Sequence, residues 1–138
     1  MKSTFSYDLY RSEGERSKLL RVKLRKIFFT PGCTYIFLFR HASEAKNPVS
    51  RFFWLFLMHA TKVITGIQIP AGTKIGRGMK ILHFGTIVIN PGAVIGKNFN
   101  IAQGCLIGCS RGKHKGVPVI GNNCYMGANS IIVGGKNW

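Results

Sequence analysis

The sequence predicts a mainly β chain, a triangular parallel β-solenoid of six-residue repeats behind a helical N-terminal region. Three observations predict it. From Ile67 onward aliphatic residues recur at a step of six: Ile69, Ile75 and Ile81, then Ile89, Ile95, Ile101 and Ile107, and after a longer gap Ile120, Met126 and Ile132. The residue that follows is often small or turn-compatible (Gly76, Gly96, Ala102, Gly108, Gly121, Gly127), and the fourth residue on is usually compact (Thr73, Ala93, Cys105, Cys124, Ser130). Before Ile67 this period is missing and the apolar spacing is helical. One hexad cannot bury its own aliphatic side chain, so it must stack on the next coil. Each side supplies a short strand with one inward aliphatic, and a turn rich in Gly and Asn bends the chain. Three sides then close a coil whose rungs stack ~4.8 Å apart.

Residues 1–66 read as a helical N-terminal cap region, and residues 67–138 as the β-helix domain. "SEGERSKLLRVKLRKIFF" opens with Ser12 three residues before Glu15, the spacing of a capping box. It continues with Leu19, Leu20, Val22, Leu24, Ile27 and Phe28 among basic residues. Pro31-Gly32 ends this helix, "TYIFLFRHA" forms a second apolar stretch, and a third helix is expected from Ser50 to about Val63. Two roles fit these pieces: a cap packed on the solenoid, or a basic amphipathic surface that touches membrane.

Composition narrows the chemistry. The chain has 138 residues, enough for one compact domain or a small domain with an appendage, and a formal net charge of +16. Cys33, Cys105, Cys109 and Cys124 show no C-x-x-C spacing, which argues against a disulfide framework or a structural metal and for reduced thiols. Cys105 and Cys124 fall at the compact position of the hexad and read as small core residues. The N-terminus lacks the apolar core of a signal peptide, and "FFWLFLMHA" is far short of the ~18 residues of a membrane span. A cytoplasmic protein is expected, with peripheral contact at the inner face of the membrane as an extension of that reading. All four acids, Asp8, Glu13, Glu15 and Glu44, precede Ala45, so paired-carboxylate chemistry and carboxylate metal sites are absent from the longer part of the chain. So basic a chain attracts nucleic acid, phospholipid or a phosphate-bearing cofactor. No helix-turn-helix, RNP or zinc motif accompanies the charge, so nucleic acid is the weakest of the three.

The hexads break twice. Ile81 to Ile89 is eight residues instead of six, and Ile107 to Ile120 reads as thirteen instead of twelve. The first break holds His83. The second holds "GCSRGKHKGVP", with Arg111, Lys113, His114 and Lys115. Loops thrown out of a rigid scaffold are the usual home of binding and catalytic groups. His83 is therefore a candidate general base, the alternative being a histidine stacked at a coil corner with a backbone hydrogen bond. "GCSRG" satisfies G-x-S-x-G, but Ser110 leaves a hexad and enters a loop, whereas a nucleophile elbow needs a strand before it and a helix after it.

The stretch "IPAGTKIGRGMKILHFGTIVINPGAVIGKN" resembles hexapeptide-repeat acyltransferases, and within them serine acetyltransferases and their relatives in surface-polysaccharide biosynthesis. The resemblance covers the second half of the chain. It implies a left-handed parallel β-helix, acetyl-CoA as acyl donor without a metal, O-acetyl transfer to a small hydroxyl acceptor, and a homotrimer with active sites between neighbouring subunits. His83, Gly85 and Ile87 to Ile89 supply the family's "H-x-G-x-I-V-I", in which the histidine is the general base. His114 stands nearest to the family's second histidine, and Tyr125, Gly127 and Ala128 match the coil that lines the pantetheine arm. Coenzyme A carries a pyrophosphate and a 3′-phosphate, for which Arg111, Lys113 and Lys115 are the basic candidates.

The chain also departs from the family. Leu82 stands where an aspartate precedes the catalytic histidine, Gln68 where a second aspartate is expected, and Val117 where a histidine precedes the loop proline. A carboxylate partner for His83 or for a substrate ammonium must come from the helical region or another subunit, so a sugar hydroxyl fits as an acceptor at least as well as serine. The reading from another class is a non-catalytic basic β-helix that docks on membrane. Since the hexad at Ile132 has only begun when "IIVGGKNW" ends, a C-terminally incomplete β-helix with an open last rung is also expected.

Overall fold

A computed structural model describes residues 3–138. Four helices precede ten short strands: α1 (Thr4–Glu13), α2 (Leu20–Phe29), α3 (Pro31–Glu44) and α4 (Pro48–Thr65), then β1 (Ile67–Gln68) to β10 (Ile131–Val133). A 3-10 turn, Gly14–Lys18, joins α1 to α2. The capping-box expectation fails here. Ser12 lies in the last turn of α1, whose N-cap is Ser3, because Gly14 at φ +58° stops the helix between Ser12 and Glu15. Pro31 closes α2 as expected but also opens α3, occupying its first turn where the missing N–H costs nothing.

The strands form a three-sided parallel β-helix. β1, β4 (Ile87–Ile89), β7 (Leu106–Gly108) and β10 make the first sheet. β2 (Lys74–Ile75), β5 (Val94–Ile95) and β8 (Val119–Ile120) make the second, and β3 (Lys80–Ile81), β6 (Asn100–Ile101) and β9 (Tyr125–Met126) the third. The hexad residues are the rungs: Ile75 pairs with Ile95 and Ile95 with Ile120, Ile81 with Ile101 and Ile101 with Met126, Ile89 with Ile107 and Ile107 with Ile132. Ile69, Ile89, Ile95, Ile101, Ile107 and Ile120 are buried in this prism, with Met79 and Phe99 filling it between rungs. Cys105 is buried there too, its Sγ 3.0 Å from the Gly127 carbonyl, while Cys124 is half-buried.

Register corrects the reading of the second break. β7 and β8 lie on successive sides, so Ile107 to Ile120 spans one side, not two. Ile95 pairs with Ile120, twenty-five residues on, seven more than the eighteen-residue step from Ile89 to Ile107. The spacing alone could not distinguish one long side from two ordinary ones.

The helices cap the first coil. Tyr35 on α3 accepts from the Ile69 N–H (3.0 Å) and donates to the Ile69 carbonyl (3.2 Å). Asp8 of α1 and Arg40 of α3 form a buried ion pair, Nε to Oδ2 2.8 Å, that reaches into the corner after β2. There Arg40 donates to the carbonyls of Ile75 and Gly76 (2.7 Å each), and Asp8 Oδ1 accepts from the N–H groups of Gly78 (2.5 Å) and Met79 (3.0 Å). Burial pushes the Asp8 carboxyl above its ordinary value and the charge of Arg40 pulls it back. At the other end, residues 136–138 turn under β8: Val119 N–H donates to the Lys136 carbonyl, and Trp138 N–H to the Val119 carbonyl. The open last rung expected from the sequence is thus covered at the second sheet.

Candidate active site

The first break forms the corner between β3 and β4, residues 82–86. Leu82 N–H donates to the Ile101 carbonyl and Gly104 N–H to the Gly85 carbonyl, which fastens both ends of the loop to the coil below. Two consecutive residues take positive φ, Gly85 at +121° and Thr86 at +38°. For a β-branched residue this is strained, and such strain clusters at functional sites. Thr86 is pinned from the helical side, where a Cβ on Gly66, the left-handed cap of α4, would stand 2.9 Å from its backbone nitrogen. The excess residues push His83 and Phe84 outward; the His83 ring is exposed and makes no hydrogen bond among the described residues.

The same edge of the prism repeats one and two coils later. Directly along it come residues 102–105 and then 127–130, so His83, Gly127 and Ala128 share one edge, about two rung spacings (~10 Å) apart along the axis. Tyr125 is exposed on the adjoining outer face of the third sheet, in register with Asn100 and, through it, with Lys80. The structure thus brings together His83 and the three coil residues of the candidate cofactor set.

It does not bring the loop to them. Residues 109–118 leave the corner between β7 and β8, a different edge. Ser110 and Gly116 exchange backbone hydrogen bonds (2.9 Å each), and Ser110 Oγ accepts from the Gly112 N–H, so this serine serves the turn; His114 flanks Gly134 beside it, with no hydrogen bond between the two side chains among the described residues. Arg111, Lys113, His114 and Lys115 are all exposed, and the His114 carbonyl accepts from the Gly135 N–H. Within one chain, His83 and His114 stand on different edges.

Two residues near His83 escape a sequence reading. The Gln103 amide oxygen, on the coil below the His83 loop, is buried without a hydrogen-bond partner. Its position in the hexad is that of an ordinary turn residue, and nothing in the spacing marks it. The second is Glu13. With Lys26 (2.8 Å) and Cys33 it lines a cavity of about 180 Å³ that extends to Ile81 and Leu82, the neighbour of His83. The hydrogen bond from Lys26 lowers the Glu13 carboxyl below its ordinary value, and burial pushes the Cys33 thiol up to about 11, so Cys33 stays protonated at neutral pH. A helical-region carboxylate, already engaged by a cation, therefore shares a cavity with Leu82.

No protein-family model matches the chain. Curated relatives do. A serine acetyltransferase of Helicobacter pylori is 33% identical over 116 residues, 83% of this chain and 67% of that protein. One from Synechocystis is 31% identical over 87% of this chain, which spans 49% of that relative's length. The colanic acid biosynthesis acetyltransferase WcaB of Escherichia coli is 39% identical over 54% of this chain and 46% of its own length. Among solved structures, serine acetyltransferase of Brucella abortus in complex with coenzyme A superposes with a TM-score of 0.69 at 20% identity, covering 97% of this chain and 52% of that one. A helical cap, a parallel β-helix broken at His83 and this set of relatives agree: the chain belongs to the serine acetyltransferase family.

Proposed function

We propose that the chain is an acetyl-CoA-dependent O-acetyltransferase built on a left-handed β-helix, acting as a homotrimer with His83 as general base. The observation that carries this is the His83 corner: an exposed imidazole on a strained loop, fastened at both ends, on the edge that also bears Gly127 and Ala128. An alcohol whose pKa lies far above 7 must lose its proton as it attacks a thioester, and an imidazole near ~6.5 accepts it at neutral pH. His83 takes the hydroxyl proton while the alcohol oxygen bonds to the acetyl carbonyl carbon. Backbone N–H groups of the coil steady the charge developing on the carbonyl oxygen. The C–S bond breaks, and His83 returns the proton to the leaving thiolate.

For the donor, Tyr125, Gly127 and Ala128 would flank the pantetheine arm, the small residues letting a linear chain lie flush on the rung. Arg111, Lys113 and Lys115, with His114 as a second polar group, would reach the same groove from the neighbouring subunit, since they leave a different edge. The outer column of the first sheet, Val88, Leu106 and Ile131, is apolar and in register, which suits contact between copies.

The acceptor is a hydroxyl of serine or of a sugar, and one observation favours the sugar. Asp8 is paired with Arg40, Glu13 with Lys26 and Glu15 with Lys18, Glu44 stands exposed at the end of α3, and none of residues 45–138 is acidic, so the coils themselves offer a substrate ammonium no carboxylate. The similarity to WcaB over 54% of the chain points the same way. The test is thiol release from acetyl-CoA with serine, homoserine and sugars as acceptors. His83→Asn is expected to lower turnover by ~10²- to 10⁴-fold with the circular dichroism spectrum unchanged. Near-full turnover in that variant would remove His83 from the mechanism, and a strong serine preference would remove the sugar.

A further inference from the structure

α4 carries two apolar stripes. Trp54, Leu57, Met58, Thr61 and Thr65 form the packed side, half-buried or buried. Val49, Phe52, Phe56 and Val63, spaced by three, four and seven, run along the opposite side with Phe53 and Ile64 at their border. This outer stripe is bare: Phe52 is 73% exposed, Phe56 64% and Ile64 82%. From Val49 to Ile64 it runs about 22 Å at the rise of an α-helix. Soluble proteins seldom leave so continuous an apolar surface without a partner.

Charge decides what covers it. α4 has no carboxylate, and Arg51, His59 and Lys62 are exposed along it. A copy that covered it with its own α4 would set these cations against like charges with no acid on α4 to pair them, and the contact between copies proposed above uses the first sheet of the prism and not this helix. α2 repeats the composition, with Leu20, Leu24 and Phe28 exposed at a spacing of four beside Arg21 and Arg25. An anionic bilayer accepts both features at once, aromatic side chains at the headgroup boundary and cations at the phosphates. We propose that the outer stripe of α4 seats the protein on an anionic membrane surface. No described helix is long and apolar enough to cross a membrane, so the contact is interfacial.

The test is sedimentation of the full chain, without acetyl-CoA, with vesicles of phosphatidylcholine containing about 30% phosphatidylglycerol and with phosphatidylcholine alone. Binding is expected to the anionic vesicles at low salt, to weaken as salt is raised, and to fall at least ~10-fold in the Phe52→Ser, Phe56→Ser double variant. Both side chains are exposed, so the melting temperature should hold. If that variant does not fold, Arg51→Gln with Lys62→Gln carries the test, with a loss of about 10-fold expected. Failure to sediment with either vesicle, or undiminished binding by the variants, overturns the proposal. So does light scattering that shows an assembly of the wild type dissociating in the phenylalanine variant, because the stripe would then be covered by a second copy. These readings involve no acyl transfer and stand or fall apart from the reaction.

Discussion

Thr86 holds its φ at +38° between a glycine at +121° and the buried Ile87, and the strain is maintained by contacts on two sides. The Gly104 N–H fixes the Gly85 carbonyl from below, and Gly66, the cap of α4, lies so close on the helical side that a Cβ there would meet the Thr86 nitrogen at 2.9 Å. A loop held this firmly fixes where the His83 backbone stands on the edge, while the exposed ring, without a hydrogen bond among the described residues, is left for the substrate or a neighbouring subunit to orient. His83 was legible in the sequence because it interrupts a strict period; Gln103 was not, because it sits in step with it. The orphaned Gln103 amide oxygen makes a separable prediction. Gln103→Leu should leave the melting temperature unchanged or slightly higher, since no hydrogen bond is lost, yet reduce thiol release if the oxygen orients His83 or the acceptor. Thermal unfolding and kcat measured on the same preparation separate the two effects.

At the scale of elements, the helical cap and the solenoid are locked at the corner after β2, where α1 and α3 each contribute one charge and both charges bond to backbone. Because burial works against the Asp8 carboxylate, the pair is better understood as setting the register of α1 and α3 on the first coil than as a net source of stability. Removing one partner is costlier than removing both. Arg40→Ala is expected to destabilise by about 3–5 kcal/mol in denaturant titration, and the Asp8→Leu, Arg40→Met double variant by less. The sequence disclosed the solenoid through its ladder of isoleucines, but not this lock, since Asp8 and Arg40 lie thirty-two residues apart on helices whose contact depends on tertiary packing. The capping box misled for a related reason: Ser12 and Glu15 have the right spacing, but Gly14 between them breaks the helix they would have started.

For the whole molecule, the uneven coils matter more than their number. The two surplus residues at the His83 corner and the seven between β7 and β8 emerge on different edges of one prism. The sequence showed both breaks without showing that they diverge, because the second could be counted as one side or two. The first coil is further singled out by the cap of α1 and α3.

That divergence has a genetic consequence. If each active site takes its base from one chain and its basic loop from the next, two differently crippled chains can repair each other. Chains carrying His83→Asn, mixed equally with chains lacking the tip of the 109–118 loop and reassembled, should regain about a quarter of the wild-type number of working sites, the share of interfaces that receive an intact half from each parent. Each parent alone should regain none. A mixture as inactive as its parents would mean that one chain assembles the whole site, and that the two edges are brought together by a movement of the loop.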